Sequence, residues 1–197
     1  MVMNQQNSQP KKKPWQDDAK WALEMQPLAI TQFYSELWPG ARIVELDMER
    51  KNELAQAIDI GGADKMIQFP DRGLAFLGQR FRRPHQKRYD DFTLRRDRPS
   101  GMMTEFQKVV LALERGGFLA GYYAYGHVNE EEDGFIRMRI LRFREFIEAV
   151  LCGDLRLGIG YNPNGSSTFW KVPFRAIPAR FFLIDYAQDK PQLKLFE

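Results

Sequence analysis

The most regular helical pattern in the chain lies between Thr104 and Gly117, where Phe106, Val109, Val110 and Leu113 recur three and four residues apart. Thr104 is placed to cap its start and Gly116 with Gly117 to stop it, so the spacing predicts a helix through Glu114. A second helix is expected from Arg142 to Leu151, where Phe143, Phe146, Ile147 and Val150 share one face. Two short helical stretches are expected between Trp15 and Trp38, the second carrying Leu28, Ile30, Phe33 and Leu37 before Pro39 and Gly40 end it. Glu49 to Ile58 also has helical composition, behind Asp47 as a cap.

The strand signals alternate with these helices. Arg42 to Leu46 reads as one strand, and Lys65 to Phe69 with Leu74 to Arg82 reads as a hairpin across Pro70, Asp71, Arg72 and Gly73. Asp91 to Arg96, Ala120 to Val128 and Phe135 to Leu141 are further strands, with an acidic turn over Asn129 to Gly134. The Gly- and Ser-rich stretch Gly158 to Ser167 reads as a surface loop, and the apolar runs around Pro173 and Pro178 as strand and loop covering the sheet. Residues 1–14 are polar, carry Lys11, Lys12 and Lys13, and read as a flexible basic tail. Residues 15–197 are then expected to form a single α/β domain with a central mixed sheet flanked by helices.

Composition narrows the chemistry. Of 197 residues, 44% are hydrophobic and 28% charged, which excludes wholesale disorder. No apolar run approaches the roughly 20 residues of a membrane-spanning helix, and a cytoplasmic location is the expectation. With Cys152 alone and only His85 and His127, neither a disulfide nor the usual zinc cage can be built. The net charge of +3 says little about partners, but its distribution says more. From Arg80 to Arg98, eight cations (Arg80, Arg82, Arg83, Lys87, Arg88, Arg95, Arg96 and Arg98) face only Asp90, Asp91 and Asp97, a local excess of five. Arginine dominates, and its planar fork suits bidentate contact with phosphate, so the segment points to nucleic acid, DNA or RNA.

The order of elements around Asp64 carries the second signal. Gly61-Gly62-Ala63-Asp64 opens the hairpin, and Phe76-Leu77-Gly78-Gln79-Arg80-Phe81-Arg82 returns along it. This central third of the chain resembles the PD-(D/E)XK nuclease superfamily. The resemblance implies a restriction-endonuclease-like fold and Mg²⁺ (or Mn²⁺) held by Asp64 and Gln79, the latter in a Gln variant of the second acidic position. It further implies cleavage of DNA phosphodiesters by a homodimer or by one component of a larger nucleoprotein complex. The lysine position two residues after Gln79 is held by Phe81, which can carry no charge. The resemblance therefore moves the cation to Arg80 or to Lys108, with Glu105 as an additional acid and Arg82, Arg83, Lys87, Arg88, Arg95 and Arg96 as phosphate contacts. Asp59, Glu45 and Glu53 are weaker candidates for the missing carboxylate.

The alternative is a noncatalytic module, binding nucleic acid or protein on a degenerate nuclease fold. Its residues have simpler readings: Asp64 closes a turn, Gln79 bonds a strand edge and Glu105 favours a helix start by its charge. Tyr122, Tyr123 and Tyr125 are expected to pack a sheet face rather than stack on bases.

Overall fold

The computed structural model describes residues 14–46, 62–71, 73–162, 165 and 167–188. The expected helix Glu49 to Ile58, the acids Glu53 and Asp59, and the tail up to residue 13 lie outside them.

Helices α1 (Pro14–Glu24), α2 (Gln26–Ala29) and α3 (Ser35–Leu37) follow one another along the first helical run, with a π-helical turn over Ile30–Tyr34 between the last two. The extra residue in that turn lets both Phe33 and Tyr34 bury themselves against the sheet. After β1 (Arg42–Glu45), the hairpin β2 (Lys65–Phe69) and β3 (Gly73–Arg82) forms as its turn residues dictate. Helix α4 (Glu105–Glu114) starts at the expected Thr104, and the structure makes the cap reciprocal: Thr104 Oγ1 accepts the Gln107 amide, and Gln107 Oε1 accepts that of Thr104. Helix α5 (Phe143–Leu151) buries Phe143, Phe146, Ile147 and Val150, as its periodicity requires.

The strands divide between two sheets, where one was expected. The larger is mixed and six-stranded in the order β1-β2-β3-β5-β6-β9, with β5 spanning Tyr122–Val128, β6 Phe135–Arg142 and β9 Phe182–Ala187. The β3–β5 pair is parallel and its other neighbours antiparallel. The smaller is three-stranded in the order β4-β8-β7, from β4 (Asp91–Asp97), β8 (Thr168–Pro173) and β7 (Gly158–Tyr161). Two expectations are corrected. Gly158 to Tyr161 is a strand, and its glycines, which read as loop, sit opposite Lys171 and Phe169 and make room for those side chains. The final apolar run does not cover the sheet but joins its edge as β9 beside β6.

Each face of the large sheet is covered. Ile67, Leu77, Phe81, Ala124, Met138 and Ile140 meet Trp21, Met25, Phe33, Tyr34 and Trp38 of the first helical run. On the opposite face Tyr123, Tyr125 and Leu141 pack with Phe143, Phe146 and Ile147 of α5 and with Phe92, Leu94 and Val172 of the small sheet. Phe92 is the hub, with ring contacts to Tyr123, Tyr125, Phe143 and Phe146. Tyr122 packs on Trp38, so all three tyrosines of β5 serve packing. Among the described residues no helix is long and apolar enough to cross a membrane.

Candidate functional site

Strand β3 outruns its partner. Pairing with β2 begins at Lys65 opposite Leu77, while β3 continues to Arg82 with β5 along its other side. On the edge that β2 leaves bare, the Asp64 side chain takes the place of a strand: its Oδ2 accepts the Gln79 amide at 2.7 Å. The Asp64 backbone is held as well, its N–H donating to Leu77 O at 2.9 Å and its carbonyl accepting from Leu46 at 3.3 Å. Gly78 makes this possible. A β-carbon there would lie 2.4 Å from Gly62 O and 2.6 Å from the Tyr123 ring, so only glycine lets the turn before Asp64 cross β3 this closely.

Asp64 is open to solvent on one side and enclosed by protein on the others. Desolvation raises its pKa from 3.8 to about 6, against the Gln79 amide, Lys65 and Arg80, which lower it; Glu45 adds to the rise. The carboxylate thus stands within electrostatic reach of two cations and a second acid. Lys65 is the nearest in sequence. It is only 2% exposed and donates to Glu45 across the β1–β2 pair. Nothing in the strand pattern marked Lys65 as more than a sheet residue, although a lysine directly after an acid on a strand facing a core was the available signal.

Alternation along β3 sends Gln79 and Arg80 to opposite faces. Gln79 turns toward the first helices, where Nε2 donates to Gln26 Oε1 at 2.8 Å and Oε1 accepts a long 3.4 Å bond from the Tyr34 hydroxyl. Phe81 is buried on that same face. Burial, followed by the charge of Asp64, pushes the Tyr34 hydroxyl pKa up, so it stays a neutral donor. Arg80 faces the other way, donating to Thr93 Oγ1 at 2.9 Å and to Glu105 Oε1 at 3.2 Å. Glu105 Oε2 accepts the Arg95 amide at 3.0 Å. Desolvation works against the Glu105 carboxylate, but Arg80 and the Arg95 amide outweigh it and hold its pKa below the usual range. Both Glu105 oxygens are therefore engaged with protein. Lys108 lies half-buried one turn along α4, and Glu105, not Lys108, lines the cleft described next.

That cleft, of about 670 Å³, runs between β3 and the small sheet, closed at one side by Asp18 and Trp21 of α1. Arg80, Arg82, Arg83, Arg95 and Lys171 line it against Asp18, Asp91 and Glu105, five cations to three carboxylates. Three of the cations are paired across it: Arg80 with Glu105, Arg82 with Asp91 at 3.4 Å and Arg83 with Asp18 at 3.3 Å. Arg82 also donates to the Tyr125 hydroxyl through Nε at 2.9 Å. The rest of the basic segment lies elsewhere. Lys87 pairs with Glu130 at 2.8 Å, Arg88 lies over the Tyr89 ring and Arg96 over the Trp170 ring. The structure therefore gathers Arg80, Arg82, Arg83 and Arg95 of the expected cations, and adds Lys171, which sequence spacing could not connect to them.

Among the described residues no cluster of three or more His, Cys, Asp and Glu is arranged to hold a metal ion. No protein-family model matches the chain, and no curated protein or solved structure matches it either.

Proposed function

We propose that this α/β chain is a metal-dependent nuclease of restriction-endonuclease-like type, with Asp64 as its catalytic carboxylate and the cationic cleft as its strand-binding surface. The reading is carried by one observation. A solvent-open carboxylate with its pKa raised to about 6 sits on the bare edge of β3, one residue along from where Arg80 enters the cleft.

The donor set fits a hard divalent cation such as Mg²⁺ or Mn²⁺. Among the described residues Asp64 keeps one carboxylate oxygen unbonded after accepting the Gln79 amide, and Gln79 Oε1 has only a long bond from Tyr34. Asp64 and Gln79 would hold the ion, while Glu105, with both oxygens engaged, would not. Such an ion polarises a phosphodiester and acidifies water. The protein's own groups supply the rest. Arg80, pinned by Thr93 and Glu105, presents a fixed cation where phosphate charge develops, at no cost of reorganisation. Lys65 and Glu45 orient the strand start that carries Asp64.

The test is nicking of supercoiled plasmid and of labelled single strands and duplexes, DNA and RNA, with Mg²⁺, Mn²⁺ or chelator. At subsaturating metal, the logarithm of the cleavage rate is expected to rise with a slope approaching one below pH about 6 and to level off above it, as Asp64 loses its proton. A flat profile from pH 5 to 8 would detach Asp64 from the rate.

The same shift has a sign for stability. Folding raises the Asp64 pKa, so the folded chain binds this proton more tightly than the unfolded chain between 3.8 and about 6. The stability it contributes is present below that window and is lost as pH rises through it. Asp64→Asn is therefore expected to melt no lower than wild type at pH 7.5, the difference closing at pH 4. A markedly lower melting temperature at pH 7.5 would make the carboxylate a structural cap instead.

A second reading, a noncatalytic nucleic-acid-binding or protein-interaction module, is favoured by the engagement of Gln79 with Gln26 and of Glu105 with Arg80. It predicts strand binding that metal does not alter and no cleavage under any of these conditions.

A further inference from the structure

The small sheet has two dissimilar faces. Phe92, Leu94, Trp170 and Val172 turn toward α5 and the core. The opposite face turns into the cleft, and the register aligns its side chains in rows: Arg95 beside Phe169 beside Gly160, and Thr93 beside Lys171 beside Gly158. A β-carbon on Gly160 would lie 2.6 Å from two carbons of the Phe169 ring. The edge of the ring therefore fills the space over β7 that any side chain at that position would take. Among the described residues no other ring stacks on Phe169, which lines the cleft. The Lys171 stem lies over Gly158 in the same manner, with its Cε 3.1 Å from where a β-carbon would be.

The charges on this floor differ from those on the wall opposite. Arg80, Arg82 and Arg83 are neutralised by Glu105, Asp91 and Asp18. Neither Arg95 nor Lys171 forms an ion pair with any carboxylate among the described residues, and both line the cleft. Among the described residues, the two lining cations without an ion pair thus flank the Phe169 ring.

We infer that the cleft-facing side of β4–β8–β7 is a floor for single-stranded nucleic acid, on which Phe169 stacks a base while Arg95 and Lys171 take the adjoining phosphates. This rests on the proposed reading and deepens it, by naming the form of the strand. Bases in a duplex already stack on one another and offer no face to a protein ring, whereas an unpaired base does. Paired cations would have to exchange carboxylates for phosphates at little net gain, so the unpaired ones carry the attraction.

The test is fluorescence anisotropy with a labelled ten-residue oligo-dT, the matching oligo-U, an abasic strand of the same length and a duplex, all in chelator. The inference expects both base-bearing strands to bind more tightly than the duplex, the tighter of the two naming the natural strand. Phe169→Ala is expected to weaken them by about 5- to 150-fold, the range for one stacked base, and to leave the abasic strand unchanged. Phe169→Trp is expected to keep the affinity and to have its fluorescence quenched on binding. Arg95→Gln with Lys171→Gln should flatten the slope of log affinity against log salt by roughly 1.4, at about 0.7 for each single-strand phosphate contact. An equal loss on the abasic strand would assign Phe169 a structural role and overturn the inference, as would a duplex bound as tightly as the strands. If Asp64-dependent cleavage is present while the Phe169 and Lys171 variants bind as wild type, this inference falls alone; if no strand binds at all, it falls with the reading beneath it.

Discussion

Asp64→Asn is expected to lower metal-dependent strand cleavage by at least ~10²-fold, on the scale of removing one preorganised electrostatic group from an active site. The amide still fits the edge of β3, because its oxygen can accept the Gln79 N–H as Asp64 Oδ2 does at 2.7 Å. What it lacks is the charge that attracts a divalent cation. Strand binding in chelator should be unchanged or slightly tighter, since a negative group at the edge of β3 is gone. Gln79→Ala should act in the same direction but less, a neutral oxygen being the weaker ligand. Arg80→Ala and Lys108→Ala compare the two cations. Arg80 lines the cleft and is fixed by Thr93 and Glu105, so its loss should slow turnover more than that of Lys108. Cleavage that survives Asp64→Asn would mean that the centre lies elsewhere. The outcome is read by single-turnover nicking, which separates chemistry from binding.

Gly78→Ala is expected to cost about 2 to 3 kcal/mol of stability, the upper range for forcing a methyl group into filled space. The groups it would meet are the Gly62 carbonyl at 2.4 Å and the Tyr123 ring at 2.6 Å, one backbone and the other buried. Neither can swing aside as a flexible side chain would. Relief would lift the turn that carries Asp64, so cleavage should fall along with the denaturant midpoint. Gly126→Ala is the control. A β-carbon there would lie 2.5 Å from the Phe135 ring, on the face of the sheet packed against the first helices. It should lower stability comparably and, at temperatures where the protein stays folded, spare cleavage. If Gly78→Ala unfolds at the wild-type midpoint, the crossing of Gly62 over β3 is not as tight as the structure gives it.

The helices α4 and α5 and the hairpin β2–β3 were legible because their determinants are local. The Thr104 cap, the Phe143–Phe146–Ile147–Val150 stripe and the Pro70–Gly73 turn each act within a few residues. The alternation that sends Arg80 and Arg82 away from Gln79 and Phe81 was legible for the same reason, since successive side chains on a strand must diverge. So was the accumulation of arginine from Arg80 to Arg98. Pairing across the chain was beyond that reach. Whether β4 joined the large sheet or formed a second one depended on β8, more than seventy residues later in the chain. Whether Arg82 and Arg83 were available to a ligand depended on Asp91 and on Asp18 of a distant helix. Gly158 and Gly160 read as loop residues until β8 laid Lys171 and Phe169 across them. The sequence by itself determined helices α4 and α5, the hairpin β2–β3 and that one stretch is rich in arginine. Only the tertiary structure decided which charges cancel, which glycines are spaces for another strand's side chains, and which carboxylate stands on an open edge, because each of those is a contact between residues that the chain brings together only by folding.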